Sequence, residues 1–517
     1  MKTRTENSIR NVTFALGGQA LFVVMSFICR TVFIHTLGQT YLGFNGLFSD
    51  IFNLLSLAEM GVGTAILYAM YTPAAQADWP RLAALLELYR RMYWTIGSII
   101  LLLGAGLIPF LDYFISNIQR VPELKIIYLL YLFNTYGSYF FAYKKSILTV
   151  YQNDYIASTV YMVRTFVQNI LQIFSLLVWH NFIIYLVIQA ICTLSENIFN
   201  SFYVDHHYPQ LKQFADVRLP RAEKWQIFSN IKAMFISRLS YAVVSSTDNL
   251  MISAFVSTLL LGVYTNYILI VTMIRTFSNS IFRALTGSIG NLIAEQKDGQ
   301  HVYQVIKRIW FINFWLTAFT ATTAFILVNP FIRLWIGHAY LLPMPTVFLI
   351  FFNMYMYLMR STFWRFNDAF GHFNQLQPKA IAEMVINLFF SLIFVLTFHW
   401  GLNGVLLGTL GSNLLTNFWY EPYLVYQRIK VPFRHYLTHV GKYLIVLAGS
   451  GTGTYFCCQY LIGGTNWLSF ITKGVVCCLM INLVIVGVYY RTEEFSYARH
   501  LLLRTLRKGI ALRKNYL

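Results

Sequence analysis

The chain has 517 residues, 57% hydrophobic and 17% aromatic but only 11% charged, with a mean hydropathy of +0.55. A soluble protein of this size carries about a quarter charged residues, so the composition excludes a soluble enzyme or domain and specifies an integral membrane protein. The net charge of +19 would suggest nucleic acid in a soluble chain, but here its placement along the sequence decides its meaning.

Windows of about 20 apolar residues, the length a helix needs to cross the hydrocarbon core, occur fourteen times. They lie near 12–36, 41–70, 93–115, 126–149, 155–179, 182–204, 229–256, 259–283, 309–335, 341–363, 379–399, 402–426, 438–461 and 466–490. Strand-like alternation is absent, so the expectation is an all-α polytopic membrane protein with about 14 transmembrane helices. The stretch Ser257 to Glu295 begins with Leu261-Gly262-Val263-Tyr264-Thr265-Asn266-Tyr267 and carries Arg275 and Arg283, while Thr40 to Tyr71 begins with Tyr41-Leu42-Gly43-Phe44-Asn45 and carries Asp50 and Glu59. Two membrane elements of such similar design suggest a duplicated transporter.

The longest polar connection, about His206 to Gln226, divides the spans into six, six and a final pair. The expected organisation is an N-terminal six-helix lobe (1–205), a cytoplasmic connection (206–228), a C-terminal six-helix lobe (229–430), an extra helix pair (431–492) and a basic tail (493–517). Thirty of the 39 Lys and Arg residues fall in the tails and even-numbered connections, and four (Arg120, Lys125, Arg333, Lys473) in the odd-numbered ones. That bias places both termini in the cytoplasm and makes much of the positive charge a topology signal at an anionic leaflet, with no nucleic acid needed. Met1 to Asn11 has no cleavage site behind it and reads as a retained tail. The C-tail from Phe495 to Lys514 is either a basic helix on the membrane surface or a solvated one.

Five arginines remain inside spans: Arg30, Arg164, Arg238, Arg275 and Arg283. Chain direction puts Arg164, Arg238 and Arg275 in the inner half of the membrane and Arg30 in the outer half. A guanidinium suits phosphate because its planar fork donates two parallel hydrogen bonds and never loses its charge. Two readings stand for each: contact with an anionic, phosphorylated substrate in a cavity, or structural pairing with an intramembrane acid such as Asp50, Glu59, Asp248 or Glu383. Arg283, close to the interface, also fits snorkelling. The same acids are candidates for a coupling Na+ or H+.

The six cysteines lie in apolar runs without metal-ligand spacing, so buried thiols are expected, and neither disulfides nor zinc. No phosphate-cradling Gly-rich loop with a following Lys, no HExxH and no GxSxG is present, which leaves ATPase, metalloprotease and hydrolase readings without support. No cofactor and no enzyme activity are expected.

Several phrases resemble one family. These are Asn7-Ser8-Ile9-Arg10-Asn11, Leu57-Ala58-Glu59-Met60-Gly61-Val62-Gly63-Thr64-Ala65-Ile66 followed by Tyr71-Thr72-Pro73, Gly262-Val263-Tyr264-Thr265-Asn266-Tyr267, Gly287-Ser288-Ile289-Gly290-Asn291-Leu292 and Glu383-Met384-Val385-Ile386-Asn387-Leu388. They resemble the Gram-positive polysaccharide-repeat-unit flippases (capsule, O-antigen and teichoic-acid type) of the multidrug/oligosaccharidyl-lipid/polysaccharide exporter superfamily. The segment Asn374 to Lys379 departs from that pattern. The resemblance implies two pseudo-symmetric six-helix lobes plus a C-terminal helix pair in a bacterial cytoplasmic membrane. It implies as substrate an undecaprenyl-diphosphate-linked oligosaccharide or teichoic-acid precursor, and as partners membrane lipid and the polysaccharide polymerase and glycosyltransferases of the pathway. The alternatives are a cation-coupled multidrug exporter of the same superfamily or a membrane-embedded polysaccharide polymerase or ligase.

Overall fold

The computed structural model describes residues 4–59, 62–114, 123–151, 153–214, 217–225, 227–228, 231, 246–294, 298–500 and 503, with the backbone alone for 4–23, 57–58, 64, 112–114, 154, 280, 283–294, 373 and 461. Among the described residues the chain is helical without strands. The main helices are α1 (Arg4–Leu55), α2 (Val62–Ala75), α3 (Trp79–Leu107), α4 (Leu124–Ala142), α5 (Lys145–Val150), α6 (Asp154–Trp179), α7 (Phe182–His207), α8 (Thr258–Ala294), α9 (Gly299–Trp335), α10 (Met344–Phe370), α11 (Phe373–Leu392), α12 (Gly401–Leu415), α13 (Asn417–Arg428), α14 (Arg434–Leu461) and α15 (Trp467–Tyr489).

Thirteen of the fourteen expected spans coincide with helix. The seventh, 229–256, lies largely outside the described residues, which resume in a helical turn at 246. The gap expected between the first two spans is Gly38, whose φ of 80° and ψ of −170° interrupt α1; only glycine takes that conformation without strain. The second span is less regular than expected, passing at Leu55 into a 3-10 turn, Ser56–Glu59, before α2 begins. Helix starts follow local chemistry. Asn181 Oδ1 accepts the Ile183 amide at 2.7 Å to begin α7, Asn466 Oδ1 accepts the Ser469 amide at 2.8 Å to begin α15, and Asp78 accepts the Arg81 amide at 3.1 Å to begin α3.

Among the described residues seven helices are long and apolar enough to cross a membrane: Trp79–Leu111, Tyr155–Trp179, Phe182–His207, Thr258–Asn279, Gly299–Trp335, Asn374–Thr397 and Trp467–Tyr489. The exposed side chains on them are largely apolar, among them Leu102, Phe202, Leu479 and Leu483, as lipid-facing surface requires. The protein is therefore a multi-pass, all-α membrane protein.

The chain forms two compact units, Met1–Thr265 and Asn266–Leu517, and the division falls inside α8. In the first unit α4 and α6 pack on α7, α3 on α4, and α1 on α6. Phe44, Phe48 and Tyr128 are buried together, with the Phe48 and Tyr128 rings 5.4 Å apart. The two Leu-Gly phrases singled out in the sequence meet here. A Cβ on Gly43 would stand 2.2 Å from the Thr258 carbonyl oxygen, and one on Gly262 would stand 2.3 Å from the Gln39 carbonyl oxygen. Each helix thus presses its backbone against the other's, a spacing that only glycine allows.

The second unit is built on α9, half of whose spanning window is buried. Helices α10, α14 and α15 pack on it, and α11 on α12. Trp310 of α9 lies in its aromatic core, 4.9 Å from the Phe363 ring, 5.3 Å from Tyr436 and 5.1 Å from Tyr443. The beginning of the C-tail, Glu493 to His500, is helical and docks on α9. Glu494 pairs with Lys307 at 2.6 Å and Phe495 stacks on Trp315 at 5.5 Å. The tail from 504 on lies outside the described residues.

Burial raises the Glu494 carboxyl, but the Lys307 hydrogen bond, a backbone hydrogen bond and the charges of Lys307 and His439 together outweigh it and hold the group below its ordinary value of 4.5. A depressed folded-state pKa contributes stability that is present above the unfolded value and lost as pH falls through the folded one. Wild type should therefore out-melt Glu494→Gln above about pH 4.5 and lose that advantage progressively below it. An equal gap throughout an acid titration would contradict the pairing.

Candidate functional site

Three of the five membrane arginines have described side chains. Arg164 on α6 donates from Nε to Glu196 Oε2 on α7 at 3.0 Å and from Nη1 to Gln168 Oε1 at 2.6 Å, with Tyr161 at 4.9 Å on its face. Arg30 in α1 donates from Nη2 to Thr265 Oγ1 at 2.7 Å. The Arg275 guanidinium lies 4.3 Å from the centroid of the Tyr357 ring. Arg238 lies outside the described residues, and for Arg283 only its helical backbone in α8 is described.

The candidate acids take varied partners. Asp50 accepts from the Asn249 amide, and Glu59 accepts from Tyr93, whose hydroxyl also accepts from Tyr89 at 2.9 Å. Asp248 is half-buried in the turn that resumes at 246. Of the acids considered for pairing, Glu383 carries two cations, Lys379 at 3.4 Å and Arg360 at 3.5 Å. The partner of Arg164 is Glu196, an acid the sequence reading did not weigh.

Two clusters result, one in each unit. In the first, Glu196 holds both Arg164 and Lys145, the latter at 3.8 Å. About two and a half turns further along α7, Asp205 holds Lys144 at 2.7 Å and Lys212 at 3.2 Å. The α4–α5 junction places the adjacent lysines against α7, whose Glu196 and Asp205 are nine residues apart on it. Two carboxylates are shared by four cations, so the described side chains of this cluster carry a positive surplus. Lys145 and Lys212 keep 43% and 63% of their side chains exposed, and could meet an arriving anion.

In the second unit a buried quartet joins α10, α11 and α13. Arg360 Nε lies 3.1 and 3.0 Å from the two oxygens of Glu421, and Lys379 Nζ lies 2.8 Å from Glu421 Oε1. The sequence reading counted Arg360 and Lys379 as topology charges. The signals available were the i,i+4 spacing of Lys379 and Glu383 and a lone Glu421 in an apolar window. Locally, Thr416 leaves helical geometry with φ −123° and ψ −74°, separating α12 from α13. Pro422 has no amide hydrogen, which frees the Phe418 carbonyl, and that oxygen accepts from the Tyr436 hydroxyl of α14.

A cavity of about 40 Å³ adjoins the quartet, lined by Trp310, Arg360, Asn413, Asn417, Glu421 and Tyr436 among others; it has room for about two or three waters. A larger groove of about 500 Å³ lies among α9, α10 and α14, with Phe325, Phe348, Phe352, Leu447 and Phe456 on its walls. Its lining is almost wholly apolar. All six cysteines are thiols; Cys478 is exposed, contrary to the expected burial, and Cys458 and Cys477 lie 3.8 Å apart. Among the described residues no group of three metal-ligating side chains occurs.

Among solved structures, the lipid II flippase MurJ in an inward closed conformation matches with a TM-score of 0.67 at 13% identity, over 93% of this chain and 99% of that one. An inward-facing multidrug resistance MATE family transporter of the MOP superfamily matches with a TM-score of 0.62 at 16% identity, over 79% of this chain and 94% of that one. This chain has the MATE and MurJ fold. A variant of the Vibrio cholerae MATE transporter VcmN aligns less closely, with a TM-score of 0.54 at 15% identity, over 82% of this chain and 98% of that one. At these identities the likeness is one of fold. No protein-family model matches the chain, and no curated protein does.

Proposed function

We propose that the chain is a flippase that carries a phosphate-bearing, lipid-linked saccharide from the cytoplasmic to the outer leaflet of a bacterial membrane by alternating access. The substrate class is an undecaprenyl-diphosphate-linked oligosaccharide or teichoic-acid precursor, used for cell-surface polysaccharide. Both termini lie in the cytoplasm, and a polymerase and glycosyltransferases of the same pathway are the expected partners. The observation that carries this reading is the cationic surplus of one cluster in the first unit, where, among the described side chains, Arg164, Lys144, Lys145 and Lys212 share Glu196 and Asp205. A diphosphate brings the charge that such a surplus lacks. The apolar groove of about 500 Å³ supports a substrate with a long hydrocarbon part. The likeness to a lipid II flippase over 93% of the chain, against 79% for the MATE structure, supports it too.

Cells depleted of this protein should lose surface polymer and accumulate the lipid-linked intermediate on the inner leaflet. Complementation with Lys145→Ala/Lys212→Ala should restore transport at least about tenfold less well than wild type, since each charge-assisted contact is worth about 1.5–3 kcal/mol. Depleted cells that still display polymer and hold no intermediate would sink the proposal. A second reading, a cation-coupled drug exporter, draws on Asp50, whose described partner Asn249 is a neutral amide. It predicts instead that Asp50→Asn abolishes cation-driven drug efflux.

A further inference from the structure

The Lys379 ammonium is seated as a bound metal cation would be. Nζ lies 2.5 Å from Asn417 Oδ1, 2.8 Å from Glu421 Oε1 and 3.4 Å from Glu383 Oε2. One amide oxygen and two carboxylate oxygens, from α11 and α13, converge on one positive charge. Oxygen sets of this kind are what hard cations take. The cage is nearly closed: 8% of the Lys379 side chain, 3% of Glu421 and 12% of Glu383 are exposed.

The amide is oriented by its own partners. Asn417 Nδ2 donates to Glu383 Oε1 at 2.5 Å and to Asn413 Oδ1 at 2.7 Å, which commits its nitrogen and leaves Oδ1 to the ammonium. Arg360 completes the charge balance, bonded to both Glu421 oxygens and 3.5 Å from Glu383. Two positive and two negative groups are thus matched in a site largely shielded from bulk solvent. A free metal ion entering would meet the ammonium at close range and leave the site with an uncompensated charge, which is costly in a poorly hydrated environment.

We propose that Lys379 is the covalently attached resident cation of this site, so that the buried acids Glu383 and Glu421 bind no free metal ion. Taking the ammonium away leaves Glu383 and Glu421 facing Arg360 alone, with the oxygen cage intact and one negative charge in excess. Lys379→Ala then becomes a Na+ site. For the transport cycle, Glu383 is not a coupling carboxylate. The drive falls to the substrate's own negative charge, which an inside-negative potential pushes outward by about 2.3 kcal/mol per charge per 100 mV. That last consequence rests on the flippase reading; the cage does not.

The test uses the purified full-length chain in detergent at mildly alkaline pH, melted in NaCl or in choline chloride of equal ionic strength. Lys379→Ala should gain a saturable Na+-dependent rise in melting temperature of several degrees, absent from Lys379→Ala/Glu383→Gln. Wild type and Glu383→Gln should respond to Na+ identically. No Na+ response in folded Lys379→Ala overturns the proposal. So does a Na+ response of wild type that Glu383→Gln abolishes, and this second arm decides the matter even if Lys379→Ala fails to fold. Neither arm measures transport, so its outcome is separate from that of the flippase reading.

Discussion

Replacing Glu421 with alanine should destabilise the protein by about 3–5 kcal/mol, the cost of leaving buried charge without its partner. Glu421 is the hub of the quartet, taking Arg360 through both carboxylate oxygens and Lys379 at 2.8 Å, and its side chain is only 3% exposed. Without it Arg360 and Lys379 would face one another with Glu383 as their single counter-charge. Desolvation makes that arrangement far costlier than the loss of a surface ion pair, worth about 0–1 kcal/mol. The measurement is the melting temperature in detergent for Glu421→Ala, Lys379→Met and the double variant. Because the double variant removes one charge of each sign, it should melt above the sum of the two single losses. A Glu421→Ala protein that melts with wild type would mean that the quartet is not formed.

A comparably large effect is expected at the crossing of α1 and α8. Adding even a methyl group at Gly262 brings Cβ to 2.3 Å from the Gln39 carbonyl oxygen, and at Gly43 to 2.2 Å from that of Thr258. Both obstacles are backbone atoms, which cannot rotate away as a side-chain tip would. Overpacking of this kind costs about 1–3 kcal/mol for a methyl group, and Gly262→Val should exceed Gly262→Ala. The second substitution relieves itself through the separation the first has already forced, so Gly43→Ala/Gly262→Ala should cost less than the two single changes added together. Strict additivity in thermal melts would show that the helices do not meet there.

Membrane character and helix placement were legible because the bilayer imposes a length on every span, and the apolar windows between charged or Gly/Pro breaks report it directly. Gly38 marked the break in α1 for the same reason. What windows do not carry is which charged residue faces which. Arg164 was expected to meet a substrate or one of four acids; it meets Glu196, thirty-two positions on, across a helix packing that only the fold specifies. Arg360 and Lys379 flank a connection that the charge bias led one to expect on the cytoplasmic side, where a positive charge ordinarily marks orientation. Their pairing depends on the bend at Thr416, which brings Asn417 and Glu421 of α13 back onto α11. The mutual approach of the two Leu-Gly phrases was likewise invisible, since similar sequence suggests equivalent positions and says nothing about contact.

The hydroxyl of Tyr436 on the Phe418 carbonyl has a consequence for dissecting this chain. Pro422 leaves that carbonyl without an intrahelical donor, and the donor comes from α14, so the final helix pair completes a hydrogen bond that the preceding helices cannot make for themselves. The same pair supplies Tyr436 and Tyr443 around Trp310. Helices α14 and α15 are therefore not a detachable appendage, and a shortened protein ending before Arg434 would inherit both an orphaned carbonyl and an unroofed tryptophan.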